Sequence, residues 1–153
     1  MTKVDERAFV PEIDDDARRR LSEALDQDGV VAAMLIGSQA RGDAGPLSDV
    51  DIAVWHEPGL EPKERWDLEL SLLGATQDAL GTNEVYIVML NHAPPLLQHR
   101  AISDAVRLVE RDPAQRVKLE TRAILEYLDT VPLRLALKEG LKRRIEEGRF
   151  GRR

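Results

Sequence analysis

One apolar run stops dead on a glycine, and few folds accommodate such a break. Val30-Val31-Ala32-Ala33-Met34-Leu35-Ile36 is continuous and of strand length, the pattern of a strand buried on both faces. It ends at Gly37-Ser38. A short polar segment with Gly42 comes next, then the turn-forming pair Gly45-Pro46, and the chain resumes as Ser48-Asp49-Val50-Asp51-Ile52-Ala53-Val54. Strand alternation sets Asp49 and Asp51 on one face and Val50 and Ile52 on the other.

Two carboxylates two residues apart on a strand face repel, and one of them is pushed towards protonation. A divalent cation removes the conflict, and two carboxylates with phosphate oxygens are a usual Mg²⁺ donor set. A Gly37-Ser38 turn lets backbone approach a ligand closely. Its N–H groups and the Ser38 hydroxyl suit a phosphate, with Arg41 adding charge at the start of a short helix. Taken singly, each signal is weak, since an isolated Asp-x-Asp is also a solvated strand edge and an isolated Gly-Ser is also an ordinary turn. In sequence, as buried strand, Gly-Ser, ten residues and Asp-x-Asp opening a second apolar strand, they describe a nucleotide site.

The pattern Gly37-Ser38, ten residues, Asp49-x-Asp51, with Arg41-Gly42 inside it, resembles the nucleotidyltransferases of the polymerase-beta superfamily. More narrowly, the chain is similar to the minimal nucleotidyltransferases called MntA, antitoxins encoded beside HEPN-domain RNase toxins. Leu90 to Leu97 and Glu126-Tyr127-Leu128-Asp129 add to the likeness, which extends over roughly residues 15 to 145. The resemblance implies an α/β (α+β) nucleotidyltransferase fold, a small mixed β-sheet flanked by helices. It implies ATP as substrate with its phosphates over Gly37 and Ser38, and Mg²⁺ held by Asp49 and Asp51. The partner it implies is a HEPN-domain toxin that receives AMP on a tyrosine. In that family a third strand usually supplies a further aspartate. Aligning Leu90-Asn91 with the family segment places Tyr86 there, with Glu84 two residues earlier as a substitute metal ligand that starts roughly 6–7 Å further along the strand, at about 3.3 Å per residue. Two other functions stay open: a degenerate transferase that neutralises the toxin by binding alone, and an aminoglycoside-type small-molecule transferase. The latter ranks last, because no second substrate-binding domain fits the length.

With 153 residues, a single domain over 1–153 is expected, loose at 1–12 and 148–153. A net charge of −6 argues against a surface that coats nucleic acid, so nucleic acid is not the expected substrate. The absence of cysteine excludes a disulfide framework and a thiolate nucleophile. No signal-peptide core or apolar run of spanning length occurs, so the expected location is the cytoplasm, without a membrane.

Along the rest of the chain, Asp14 is positioned to cap a helix with Ala17, Leu21, Ala24 and Leu25 inward and Arg18-Arg19-Arg20 in solvent. Pro62 begins a long helix ending at Gly81, with Trp66, Leu70, Leu73 and Leu80 as its core stripe. Glu84 to Leu90 reads as the third strand, and Pro94-Pro95 opens a helix to about Ser103. Val106 to Val109 is a fourth strand. Asp112-Pro113 starts a helix with Val117, Ile124 and Leu128 on one face, and Thr130 with Pro132 starts another with Leu133, Leu137, Leu141 and Ile145 spaced by four. His56, His92 and His99 show no ligand spacing and read as loop or surface residues.

Overall fold

The computed structural model describes residues 10–45 and 47–149. Four strands form one open mixed sheet in the order β3-β2-β1-β4. The elements along the chain are α1 (Asp15–Leu25), β1 (Val30–Ile36), α2 (Gly37–Arg41), β2 (Val50–His56), α3 (Pro62–Leu80), β3 (Val85–Met89), a 3-10 turn (Leu90–His92), α4 (Pro95–Asp104), β4 (Val106–Glu110), α5 (Pro113–Asp129) and α6 (Val131–Glu146). β1 is antiparallel to both β2 and β4, whereas β2 and β3 are parallel because α3 carries the chain back between them.

The central position of β1 explains its unbroken apolar sequence, since every residue of the strand is buried. Its two faces feed two cores. Val30, Ala33 and Leu35 join Val50, Ile52 and Val54 under α1 and α3. Val31, Ala32, Met34 and Ile36 join Ala53 and Trp55 under α4 and α5. The alternation expected of β2 therefore holds: Val50 and Ile52 face α1 and α3, and the Asp51 side faces α4 and α5.

Helix ends follow their local chemistry. Asp14 accepts the Ala17 N–H at 2.8 Å and starts α1, as expected. Glu61 and Glu64 form a reciprocal capping box before Pro62, and Gly81 closes α3 in the left-handed region. Asp112 accepts the Gln115 N–H at the start of α5. Where β3 stops, Asn91 prolongs the pairing: its side chain accepts from the His56 N–H and donates to the His56 carbonyl, each at 3.0 Å.

Several expectations need correction. The buried stripe of α3 is Leu68, Leu72, Thr76 and Leu80, while Trp66 and Leu70 point outward at 58% and 48% exposure. The helix is rotated because the face that fits under α1 and the sheet begins two residues later than the tryptophan. On α5 the face that carries Val117, Ile124 and Leu128 is exposed, and the buried residue of that helix is Ala123. Among the described residues the leucine stripe of α6 is exposed, and no residue of that helix is buried. His56 is buried at the end of β2, with its ring stacked on His92 at 5.4 Å. Burial holds the His56 imidazole below its ordinary range, and its Nδ1 lies 2.8 Å from the Glu57 carbonyl. Val10 and Ile13 are part of the core, so the anchored chain reaches back to Val10; the remaining expected loose ends, 1–9 and 150–153, lie outside the described residues.

The face assigned to α3 is tested by two truncations. Leu72→Ala should cost about 2–5 kcal/mol in urea unfolding, the range for a buried leucine, whereas Trp66→Ala should leave the midpoint nearly unchanged. The reverse ranking would restore the tryptophan stripe as the core face.

Candidate functional site

The chemistry-bearing residues meet at one end of the sheet. β1 ends at Ile36, whose register partner on β2 is Asp51. Gly37 comes immediately after with φ +72°, a left-handed conformation that turns the chain out of the strand into α2. A methyl group on Gly37 would stand 2.8 Å from Oδ2 of Asp51. The glycine is thus required twice, for its backbone angle and for the carboxylate beside it. The Gly-Ser turn and the Asp-x-Asp strand, separate in sequence, are one surface in space.

α2 has a single short turn. Ser38 is its second residue, and the Ser38 carbonyl accepts the N–H groups of Gly42 at 3.0 Å and Asp43 at 3.2 Å. The first N–H groups of such a helix have no partner within it and are free to meet an anion. Arg41, in the last turn, reaches Asp43 at 3.4 Å with about half its side chain exposed. Gln39 donates to the Ser48 carbonyl at 3.4 Å, and Ser48 Oγ accepts the Gly45 N–H at 2.8 Å, which ties the segment between Gly37 and Asp49 back on itself.

Asp49 and Asp51 are half-buried. Burial first, and the Asp49 charge second, hold the Asp51 carboxyl above its ordinary value. Two half-buried carboxylates so placed repel each other when both are ionised. The donor set therefore fits Mg²⁺, with two protein oxygens and the remainder from nucleotide phosphates and water.

The third strand settles where Glu84 and Tyr86 stand. Tyr86 is the parallel register partner of Asp51, and it is 55% exposed. Val50 pairs with Val85, and the Val50 N–H donates to the Glu84 carbonyl at 2.9 Å, so Glu84 sits level with Asp49. Among the described residues, no group of three or more His, Cys, Asp or Glu side chains is placed to hold a metal ion. Clefts of about 380 and 470 Å³ lie elsewhere. The first borders α2 at Gln39 and Gly42, and the second lies at the far end of the sheet around His56 and His92; neither Asp49 nor Asp51 lines either one. The acidic pair stands at the end of the sheet where β1 passes into Gly37.

Sequence reasoning singled out Gly37, Ser38, Arg41, Asp49, Asp51 and Glu84, and the fold brings Gly37 against Asp51 and Glu84 level with Asp49 while directing Arg41 towards Asp43. It missed the contact between Gly37 and Asp51, for which the only sequence signal was the glycine itself.

The profile of the family described as "Polymerase beta, Nucleotidyltransferase" matches residues 20–114. No curated protein sequence matches significantly. Among solved structures, a toxin–antitoxin crystal structure with AMP-PNP superposes with a TM-score of 0.65 at 22% identity, over 82% of this chain and 98% of the other. A tri-AMPylated Shewanella oneidensis HEPN toxin in complex with MNT antitoxin gives a TM-score of 0.60 at 20% identity, over 82% and 96%. The toxin–antitoxin MntA–HepT gives 0.59 at 20%, over 82% and 97%. At these identities the likeness establishes the fold. Among the described residues no helix is long and apolar enough to cross a membrane.

Two measurements test the geometry. Gly37→Ala should lose about 1–3 kcal/mol from backbone strain and more from the clash with Asp51. Gly42→Ala, at φ +78° but with nothing within 4 Å of the added methyl, should lose the strain component alone. Equal losses in denaturant unfolding would mean that the Gly37–Asp51 approach is unimportant. For Asp51, the raised native value makes the folded protein bind more protons than the unfolded chain just above the ordinary value of 3.8. Metal-free stability should therefore fall as pH rises from 3.8 through the raised native value, and Asp51→Asn should remove that fall. An unchanged pH profile in Asp51→Asn would contradict the desolvated-pair description.

Proposed function

Because the chain belongs to the polymerase-beta nucleotidyltransferase family, we propose that it transfers AMP from ATP to a tyrosine of a HEPN-domain toxin and so neutralises it in the cytoplasm. The observation that carries this reading is the approach of Gly37 to the Asp51 carboxylate, which sets the turn proposed to hold phosphate against the pair proposed to hold metal. The solved relatives support the acceptor, for one contains an AMPylated HEPN toxin and another an ATP analogue.

In this reading, the backbone of Gly37 and Ser38 and the Ser38 hydroxyl hold the triphosphate, with Arg41 adding positive charge. Asp49 and Asp51 would hold Mg²⁺, which when bound neutralises phosphate charge and lowers the cost of forming the pyrophosphate leaving group. The phenolic oxygen of the acceptor attacks the α-phosphorus in line, a new P–O bond forms, the α–β bridging P–O bond breaks, and pyrophosphate departs with its electron pair. The phenolic proton passes to solvent or to a carboxylate near the nucleophile. The protein's own part is positioning and charge compensation.

Glu84 is the one further carboxylate level with the acidic pair among the described residues, and in this proposal it assists on the nucleophile side where Tyr86 stands beside Asp51. That same Tyr86 favours a second reading, in which the fold neutralises the toxin by binding alone.

Intact-mass analysis of the co-expressed toxin separates the two. The transferase reading expects additions of AMP with the wild type, none with Asp49→Asn, less with Glu84→Ala and more with Tyr86→Asp. Full neutralisation without any AMP, persisting in Asp49→Asn/Asp51→Asn, would establish binding alone.

A further inference from the structure

α6 is built like a core helix and packed like none. Leu133, Leu137, Leu141 and Ile145 recur every fourth residue, and they are 63%, 63%, 47% and 57% exposed. The helix buries no residue, and its main packing neighbour is α5, whose last turns expose Leu125 and Leu128 as well. Sixteen residues of helix have little stability in water without a packed face, and contiguous exposed apolar surface on this scale marks an interaction site.

The arm is also held at a set angle. The ring of Tyr127, near the end of α5, stacks on His99 of α4 at 3.6 Å with an interplanar angle of 7°. The Arg134 guanidinium of α6 lies 4.1 Å from the centre of the same Tyr127 ring, and Arg134 Nε donates to Thr130 Oγ1 at 3.0 Å. α4 in turn packs on α2 of the nucleotide site. Tyr127 thus links the root of α6 to α4, which neighbours α2.

Charge decides between occupants. Over Val131–Glu146, five cations (Arg134, Lys138, Lys142, Arg143 and Arg144) stand against Glu139 and Glu146, a local excess of +3 on a chain of −6. Two α6 helices packed on each other in a symmetric pair would oppose like charges along their length, whereas a different helical protein with carboxylates flanking its apolar stripe would complement them.

We propose that the leucine face of α6, continued by the end of α5, docks the acceptor protein through an apolar helical surface bordered by carboxylates. This rests on the protein-acceptor reading of the nucleotide site. A transferase whose acceptor is a macromolecule needs a surface that holds the protein while one side chain reaches the α-phosphorus, and the exposed apolar face of α6 and the end of α5 supplies one.

The test is co-purification of the full chain with its co-expressed HEPN toxin, using wild type, Leu137→Glu/Leu141→Glu and Lys138→Glu/Lys142→Glu. None of these side chains is buried, so the core is untouched. Expected results are at least tenfold weaker toxin binding and loss of AMP on the toxin for the leucine pair, and weakened binding for the lysine pair. An ATP analogue should bind all three proteins alike. Wild-type levels of complex with the leucine pair would overturn the docking surface while leaving the transferase reading intact. A wild type that neither binds nor modifies the toxin would remove that reading and the docking proposal together. Sedimentation of the wild type alone as a dimer that the leucine pair converts to monomer would assign the face to a second copy and overturn the proposal.

Discussion

A glycine backbone pressed against a half-buried carboxylate is the constraint on which this molecule turns. The chain leaves β1 at Gly37 in a conformation that side chains oppose, and a side chain there would in any case strike Asp51. Everything that makes the contact possible lies behind it. β1 must be central to hold Ile36 opposite Asp51, and β2 must be apolar on one face so that Asp51 is on the other. The segment between them must be short and tied to itself through Gln39, Ser48 and Gly45. The two cores stabilise the fold, and their surplus offsets the repulsion between Asp49 and Asp51 in the metal-free protein.

β3 makes the site unusual. As an edge strand parallel to β2, it brings Tyr86 beside Asp51 and Glu84 level with Asp49. Tyr86 adds no carboxylate beside the acidic pair, so the carboxylate density is lower than a two-ion site requires.

Much of this was legible in the sequence where local rules and tertiary packing agree. Strand β1, the turn at Gly37, the face of Asp49 and Asp51, and the capping of α1 by Asp14 and of α5 by Asp112 rest on alternation and hydrogen-bonding chemistry that need no neighbours. The inward face of α3 was not legible, because Trp66, Leu70 and Leu73 satisfy a helical period as well as Leu68 and Leu72 do, and only the position of α1 chooses between them. His56 was missed because nothing local signals that Asn91, far along the chain, will close the end of β2 over it. The leucine stripe of α6 was legible as apolar and helical. Whether such a stripe is covered by the chain itself depends on neighbours that a periodicity cannot supply.

The central claim, that Gly37-Ser38 and the Asp49–Asp51 pair are one nucleotide-and-metal site, is tested most directly by calorimetric titration with a non-hydrolysable ATP analogue. The account predicts binding by the wild type that strengthens markedly on adding Mg²⁺, and loss of that Mg²⁺-dependent gain in Asp49→Asn/Asp51→Asn with the fold retained. Equal affinity of the two proteins in the presence of Mg²⁺ would contradict it.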